Sequence, residues 1–397
     1  MTMKRSVIFI LLFIGSLSAS AQVKADPCSL EISLLTCAPG TDLYSIFGHT
    51  AIRVQDPRRG MDIVYNYGTF DYDDPKFYIH FTKGIMNYSL SVATFSDFMA
   101  EYKTDRRSVV EQVLDLSCQE KNNLYESLRQ NTLEENRIYQ YHFHTDNCTT
   151  RAARMIENSA GTTFAYKNIL PSPGPSFRDM IHEYLDRQKQ NWSEFGIDLL
   201  LGSNLDINPS NIEAIHFLPD YLYRGMDNAS ANNKPLVSEN NRLLDFPPLK
   251  MSVFGLTPTA LFECILMLTI ILFMFKSSPA ITKTLLVFDI IFFTILGLVG
   301  ILMAYLWFGR VDDVCRNNIN IFWALPTHFI AVFFIRKKAF WLKYYFLITA
   351  ILAAVLLIGF HWWPQRMNFA VIPILIIIIF RAFSLSKNRN HAEKASI

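Results

Sequence analysis

The hydrophobic positions of this 397-residue chain follow two different patterns. Through most of residues 22–252, apolar and polar residues alternate at strand or helix spacing, which is typical of a folded domain in water. The last third of the chain instead contains apolar segments long enough to cross a hydrocarbon core of about 30 Å. Five such segments are predicted, of which the third is the weakest, at 253–275, 284–308, 319–335, 342–360 and 369–386.

The basic residues that flank these segments predict their orientation. If the chain crosses the bilayer five times, the Lys and Arg residues fall on one side, and an excess of these residues marks the cytoplasmic side. We therefore expect residues 22–252 in the periplasm and residues 387–397 as a cytoplasmic tail of an inner-membrane protein. The basic residues concerned are Lys276, Lys283, Arg336, Lys337, Lys338, Lys343, Lys387, Arg389 and Lys394.

The first residues have the pattern of an export signal. Lys4 and Arg5 precede an apolar stretch at 7–17, and the small residues Ala19 and Ala21 follow it. This order predicts a signal peptide over 1–21, with the mature chain beginning at Gln22. An uncleaved N-terminal anchor is the alternative.

The segment between the signal and the first apolar helix predicts an α+β domain. Strand-forming residues dominate 31–38, 49–55 and 63–67, and the Asp-Pro-Arg-Arg-Gly sequence at 56–60 is a turn between the last two. A helical pattern covers 95–131, with room for a strand at 106–116. A further strand at 138–144 leads into Asp146-Asn147-Cys148, and 149–158 has helix-compatible residues.

Cys148 is the strongest candidate for chemistry because it lies where a helix should begin. Unpaired backbone N–H groups and the positive end of the helix dipole favour the thiolate and lower the pKa of a thiol at this position. His49, in the predicted strand at 49–55, is a candidate base. In that strand Thr50 lies on the apolar face, and His49 shares the opposite face with Arg53. The alternatives are a disulfide or a buried thiol for Cys148, and a polar residue at a strand edge for His49.

The sequence FGHTAIRV at 47–54, the following YNYGTFD at 65–71 and the later HTDNCTTRAARM at 144–155 resemble a known family. These motifs are similar to the circularly permuted papain-like (NlpC-like) fold, in which the histidine precedes the cysteine. The whole layout, including the loop 315–320, resembles the Lnb-type lipoprotein N-acyltransferases. The expected fold is therefore an α+β, permuted papain-like periplasmic domain followed by a five-helix transmembrane bundle.

The resemblance implies a ping-pong acyl transfer without a cofactor. Cys148 would accept an acyl chain from a membrane phospholipid as a thioester, and the α-amino group of a diacylglyceryl-cysteine lipoprotein would then take it. His49 would serve as the base. Counting outward from a turn centred near Arg58 places Tyr65, Asn66 and Tyr67 opposite His49 as groups that would orient the imidazole, with Tyr65 as the working choice. The backbone N–H of Cys148, or Asn147, would stabilise the oxyanion.

Three charged residues are candidates for substrate binding. Arg53 and Arg151 have the chemistry to bind a lipid phosphate, although surface ion pairs are the commoner arrangement. Glu263 and Asp289 lie in predicted membrane helices, where a charge is costly and suggests function. Glu263 lies toward the periplasmic end of its helix and is a candidate for an amine or headgroup site, with snorkelling to the interface as the alternative.

Composition and motifs exclude several other classes. The net charge of +2 and the lack of any Lys/Arg run longer than three residues argue against a nucleic-acid partner. No phosphate-binding glycine loop occurs, and His142 and His144 have no acidic or cysteine partner at ligand spacing, so no metal site is predicted. A papain-like cysteine hydrolase acting on cell-wall peptides, and a non-enzymatic membrane sensor or scaffold, stay as alternative functions. The polar segment 164–245 is either a lid or packing and linker.

Overall fold

The computed structural model describes residues 28–42, 44–71, 75–248, 255–337 and 339–387. The predicted signal peptide and the tail beyond Lys387 lie outside these ranges. The described chain is α+β, with a sheet-rich N-terminal domain and a helical C-terminal region. Strands of the N-terminal domain are β1 Glu31–Cys37, β2 His49–Asp56, β3 Met61–Thr69, β4 Asn87–Thr94, β5 Val109–Leu114, β6 Ile138–Gln140, β7 Ala165–Tyr166, β8 Ala229–Ala231, β9 Lys234–Pro235 and β10 Val237–Leu244.

The helices of the N-terminal domain lie between these strands and after them. The strand β5 separates α2 from α3, which confirms the break that the sequence predicts within the helical stretch 95–131. These helices are α1 Phe77–Lys83, α2 Phe95–Thr104, α3 Cys118–Asn131, α4 Cys148–Ser159, α5 Phe177–Arg187, α6 Asn191–Leu200, α7 Asn211–Phe217 and α8 Pro219–Asp227.

One antiparallel sheet with the strand order β10-β5-β1-β2-β3-β4-β6 forms the core of this domain. Alternating side chains of the central strands point to opposite faces. The face that carries Leu34 and Ile52 is covered by α3 and α4, with Leu124 and Ile156 in the same apolar cluster. The opposite face of the sheet is also apolar, and α2 covers it. The middle of β2 is therefore buried on both sides.

The predicted strand 138–144 is shorter in the structure. It ends at Gln140, and His142 and Asp146 then exchange two backbone hydrogen bonds of 3.0 Å. This backbone bridge closes a tight loop immediately before Cys148. The loop takes the backbone out of the sheet and directs it into α4.

The segment 164–245 packs rather than forming a detached lid. Its helices α5, α7 and α8 bury a cluster of apolar side chains beside the sheet, and β8 and β9 form a small second sheet with β7. Residues of this apolar cluster include Phe177, Met180, Ile181, Tyr184, Leu185, Phe217 and Leu218.

The C-terminal region is a bundle of apolar helices. Helix α10 is the one described helix that is by itself long and apolar enough to cross a membrane, and α9 and α12 are shorter apolar helices. The helices are α9 Pro258–Met274, α10 Pro279–Gly309, α11 His328–Ile335, α12 Leu342–Ile358 and α13 Val371–Lys387.

The third apolar segment differs from its prediction. The sequence predicts a continuous crossing at 319–335, but the structure has a 3-10 turn at Ile319–Phe322 and an α-helix only from His328 to Ile335. Asn320 explains the difference, because its side-chain amide donates to the backbone oxygen of Asp198 in α6 at 2.9 Å. The start of this segment is therefore bound to the N-terminal domain.

A buried polar network joins the two parts of the molecule. The fully buried Arg178 in α5 bonds to Asp198 at 3.0 Å and to Asp206 at 2.8 Å. Asp198 also accepts from Asn368 of the helical region at 3.0 Å. The backbones approach so closely here that a side chain on Gly202 would lie 1.6 Å from the carbonyl oxygen of Arg316.

An ion pair between α10 and α13 is buried inside the helical bundle. Asp289 in α10 accepts two hydrogen bonds from Arg381 in α13, at 2.7 and 2.8 Å, and both side chains are almost completely buried. Each charge is stable in this apolar setting only because the other is present. Asp289, which the sequence suggests as a functional residue, therefore has a structural partner.

We expect Asp289→Leu to destabilise the protein strongly, by about 3–5 kcal/mol, because Arg381 would remain buried without its counter-charge. The double variant Asp289→Leu/Arg381→Met should recover most of this loss, since it leaves no buried charge. Thermal unfolding of the full chain in detergent measures both effects. A single variant as stable as the wild type would contradict this role of the pair.

Candidate active site

Asn147 determines where α4 begins and thus where the Cys148 thiol lies. Its side-chain oxygen accepts from the backbone N–H of Thr150 at 2.9 Å, which is an N-cap. Its side-chain nitrogen donates to the carbonyl oxygens of Phe143 and Phe217, at 2.8 and 2.9 Å. Cys148 is consequently the first residue of the helix, as the sequence predicts.

His49 is the first residue of β2, the strand that packs against this helix. The helix and the strand are joined directly, because the buried hydroxyl groups of Thr50 and Thr149 form a hydrogen bond of 3.1 Å. The His49 side chain is close enough to the Cys148 thiol to lower the pKa of that thiol through its charge and hydrogen bonding. The Nε2 atom of His49 lies 3.3 Å from the side-chain oxygen of Asn66 in β3. The imidazole of His49 therefore lies between a thiol and an amide oxygen.

The environment of Cys148 favours its thiolate. Burial acts to raise the pKa of the Cys148 thiol, but the charge and hydrogen bond of His49, the backbone N–H of Thr50 and the Thr149 side chain lower it by more. The net pKa of Cys148 is below its usual value. Cys148 as a whole residue is half-buried, so its stabilised thiolate lies close to the surface of the domain.

Tyr139 is a functional candidate that sequence reasoning missed. Its ring is buried and its hydroxyl has no hydrogen-bond partner among the described residues. Burial, and then the nearby Cys148 charge, raise the pKa of Tyr139, so the phenol keeps its proton. Gly68 lies near both residues, because a side-chain carbon on Gly68 would lie 3.6 Å from Cys148 Cβ and 3.9 Å from the Tyr139 hydroxyl oxygen.

Two predicted roles around His49 and Cys148 need correction. Asn66 contacts His49, whereas Tyr65 pairs with Ile52 and its side chain belongs to the apolar core. Asp56 pairs with Met61 at the end of the β2–β3 hairpin, so the centre of the turn lies between Arg58 and Arg59. This is half a residue beyond the predicted centre at Arg58, and the shift places Asn66 instead of Tyr65 on the same face as His49. Asn147 is a poor oxyanion donor because both protons of its amide are used by backbone carbonyls.

The three charged residues predicted to bind substrate are not brought together. Arg53 lies four residues along β2 from His49, where it forms ion pairs with Asp62 and Glu111 at 2.6 and 2.8 Å. Arg151 lies one turn after Cys148, but its guanidinium is paired with Asp146 at 2.6 Å. Glu263 is exposed on α9, and no described hydrogen bond joins it to the cysteine site.

The structure also gives His142 and His144 an acidic neighbour that the sequence does not reveal. A carboxylate oxygen of Asp313, from the loop after α10, lies within 4.8 Å of one ring nitrogen of each histidine. The expectation that these histidines have no acidic partner is therefore wrong.

We expect iodoacetamide to alkylate Cys148 at neutral pH faster than Cys118, because the pKa of Cys118 is raised by its hydrogen bond to Cys28. In His49→Ala the midpoint of the rate against pH should move upward for Cys148, since burial remains and the largest opposing contribution is lost. Peptide-level mass spectrometry of the full chain gives each rate separately. His361→Ala is the control, and an unchanged midpoint in His49→Ala would rule out the pairing.

Comparison with protein families assigns both parts of the chain. Residues 18–175 match the Lnb N-terminal periplasmic domain, and residues 235–391 match the Lnb transmembrane domain. No curated protein and no solved structure gives a significant match. The periplasmic match precedes the transmembrane match in the chain, which agrees with the Lnb-type lipoprotein N-acyltransferase architecture. The chain therefore belongs to the Lnb family, as a lipoprotein N-acyltransferase-like membrane protein with a periplasmic N-terminal domain.

Proposed function

We propose that this protein transfers an acyl chain from a membrane phospholipid, through a thioester on Cys148, to the α-amino group of diacylglyceryl-cysteine lipoproteins. The observation that carries the proposal is the Cys148 thiol, with its lowered pKa, beside His49 in a domain that is fastened to an apolar helix bundle. Both substrates are lipids or lipid-anchored. An enzyme that joins them needs its nucleophile at a bilayer surface.

In the first half-reaction the thiolate sulfur of Cys148 attacks the carbonyl carbon of a phospholipid ester. His49 holds the proton of the thiol and gives it to the leaving alcohol oxygen as the ester C–O bond breaks. The products are a thioester and a lysophospholipid. Asn66 would keep the imidazole oriented through its hydrogen bond to Nε2, which makes it a positioning residue.

In the second half-reaction the neutral amine of the lipoprotein attacks the thioester carbonyl. His49 removes a proton from the amine as the C–N bond forms, and the C–S bond then breaks. The proton returns to the sulfur, so the enzyme is regenerated without any cofactor. The products are a triacylated lipoprotein and the free Cys148 thiol.

Both half-reactions develop negative charge on a carbonyl oxygen, which needs hydrogen-bond donors. The backbone N–H of Cys148 at the start of α4 is one donor, because the first N–H groups of a helix have no intrahelical partner. The Tyr139 hydroxyl is the second, since it is protonated, buried and without a partner in the resting site. A donor that is not committed before the reaction costs nothing to reorganise.

A row of aromatic rings supports a lipid donor. From the cysteine site, Tyr141 contacts Tyr88 at 4.6 Å between ring centroids, Tyr88 stacks on Phe70 at 4.8 Å, and Phe70 stacks on Phe77 at 5.5 Å. Phe77 begins α1, whose Tyr78 and Ile79 are exposed. The main chain of α1 bonds to the loop after α10. We infer that an acyl chain follows this row from the bilayer to Cys148.

We also propose the finer architecture that the family resemblance implies. The histidine strand β2 precedes the cysteine helix α4 in the chain, which supports a circularly permuted papain-like domain. Five crossings, with the C-terminus in the cytoplasm, are consistent with five apolar helices in which α11 is the shortest. The polar binding of Asn318 and Asn320 to α6 supports a periplasmic position for the loop that precedes α11.

Cells that depend on this protein for lipoprotein N-acylation provide the direct test. Deletion should remove the N-linked acyl chain from lipoproteins, and the wild-type gene should restore it, while Cys148→Ser and His49→Ala should not. Arg53→Lys, which changes a residue of the distant ion pairs, is a control that should restore N-acylation if the protein accumulates normally. Mass spectrometry of intact N-terminal lipopeptides measures each outcome.

Triacylated lipoproteins in the deletion strain would refute the acyltransferase proposal. Altered cell-wall peptides in the same strain would then favour the cysteine hydrolase. Normal function of Cys148→Ser would instead favour a non-enzymatic sensor or scaffold.

Tyr139→Phe should lower kcat/KM for acyl transfer by about 100-fold, the size expected for the loss of one oxyanion donor. The same change should leave thermal stability equal or higher, because it removes a buried hydroxyl without a partner. Tyr166→Phe is the matched control with the opposite result. It loses a 2.7 Å bond to Glu157, so stability should fall by about 1 kcal/mol while activity remains. Full activity in Tyr139→Phe would remove the hydroxyl from the mechanism.

A further inference from the structure

Two histidines and a carboxylate meet where the cysteine loop contacts the helical region. His142 and His144 lie in the loop before Cys148, with their ring centroids 4.9 Å apart. Asp313 belongs to the loop that follows α10, and its Oδ1 atom lies 4.0 Å from His142 Nε2. One ligand atom from each of the three residues lies within 4.8 Å of the others.

The histidines lack the hydrogen bonds that buried imidazoles ordinarily have. The Nδ1 atoms of His142 and His144 are both buried and have no partner among the described residues. Leaving two ring nitrogens unsatisfied is costly, and each such group in a native protein needs an explanation. An ion bound between the rings would give one nitrogen of each imidazole a partner, and Asp313 approaches Nε2 of His142.

We propose that His142, His144 and Asp313 bind a zinc ion, with a fourth position open to water. Two imidazole nitrogens and one carboxylate oxygen form a borderline N/O donor set of the type that zinc accepts. Tetrahedral zinc places its ligand atoms about 3.3 Å apart, so the present separations must shorten by side-chain rotation. The half-exposed Asp313 is free to make that movement. Asn204 contacts the other carboxylate oxygen at 3.4 Å and orients the ligand.

The second histidine-carboxylate group of the described chain does not suit a cation. His182, Glu194 and Asp198 also lie close together, but the Arg178 guanidinium is 3.0 Å from Asp198 Oδ1. The guanidinium of Arg178 already pairs with the Asp198 carboxylate, and its positive charge would repel a metal ion. Among the ion pairs of the described residues, Asp313 is joined only to His142 and to no Lys or Arg side chain.

The zinc ion would connect the two parts of the protein. Two ligands come from the loop that ends at Cys148, and the third comes from the loop between α10 and α11. The ion would therefore hold the nucleophile loop against the helical region. This inference does not depend on the proposed acyl transfer.

The test measures zinc in the full chain, purified in detergent with an affinity tag that contains no histidine. All variants carry Cys148→Ser, so that the reactive thiol cannot bind the metal. After loading with zinc chloride and desalting, elemental analysis should give about one zinc ion per chain, and zinc should raise the midpoint of thermal unfolding. His144→Gln and Asp313→Asn should each lose the ion and the shift. His361→Gln, which changes a histidine outside the site, should keep both.

A loaded protein that retains no zinc would overturn the proposal. Equal zinc in His144→Gln and in the parent would overturn it as well, because the metal would then be bound elsewhere. Substitution with cobalt gives an independent readout, since tetrahedral Co²⁺ bound by this site should absorb visible light and the absorption should disappear in His144→Gln. Loss of zinc binding with retained N-acylation in otherwise wild-type cells would leave the acyl-transfer proposal unaffected.

Discussion

The buried guanidinium of Arg178 is the interaction on which the arrangement of the two parts depends. It lies between Asp198 and Asp206 and also donates to the carbonyl oxygens of Leu201 and Gly202. A buried charge with this many partners fixes α5 against the segment 198–206 of the same domain, because any shift would leave a charge or a carbonyl unsatisfied. The polar side chains of the loops after α10 and α12 then bind the same stretch of backbone. The contacts thereby hold the cysteine domain and the helical region in one arrangement.

The cysteine site is built by the same principle on a smaller scale. Asn147 uses every polar atom of its side chain to fix the start of α4, and the pair of Thr50 and Thr149 fixes that helix to β2. The groups proposed to take part in the reaction are instead not fully buried or not fully hydrogen-bonded. Cys148 is half-buried, and the Tyr139 hydroxyl is uncommitted. The supporting residues thus have their hydrogen bonds made within the protein, whereas the proposed reacting groups keep theirs available for a substrate.

The sequence predicts the Cys148 helix and the His49 strand well, because a strand, an Asn cap and a helix are local patterns. It fails for Tyr65, the working choice beside His49, since half a residue of error at the turn moves a side chain to the other face of a strand. It also fails for Arg53, whose partner Glu111 lies 58 positions away in another strand. Hydropathy overestimates the third membrane segment because it does not register that Asn320 bonds to the backbone of α6. The role of Asp313 beside the histidines depends on the same long-range packing.

The pair of Asp289 and Arg381 also constrains how the protein is made. The two residues lie 92 positions apart, so the ribosome delivers α10 well before α13. Until α13 arrives, the carboxylate of α10 has no counter-charge in an apolar environment. The insertion machinery must therefore shield α10 or hold it at the bilayer edge until α13 has been made. A chain that stops before Arg381 would present an uncompensated acid to cellular quality control, so the membrane assembly of α10 depends on α13.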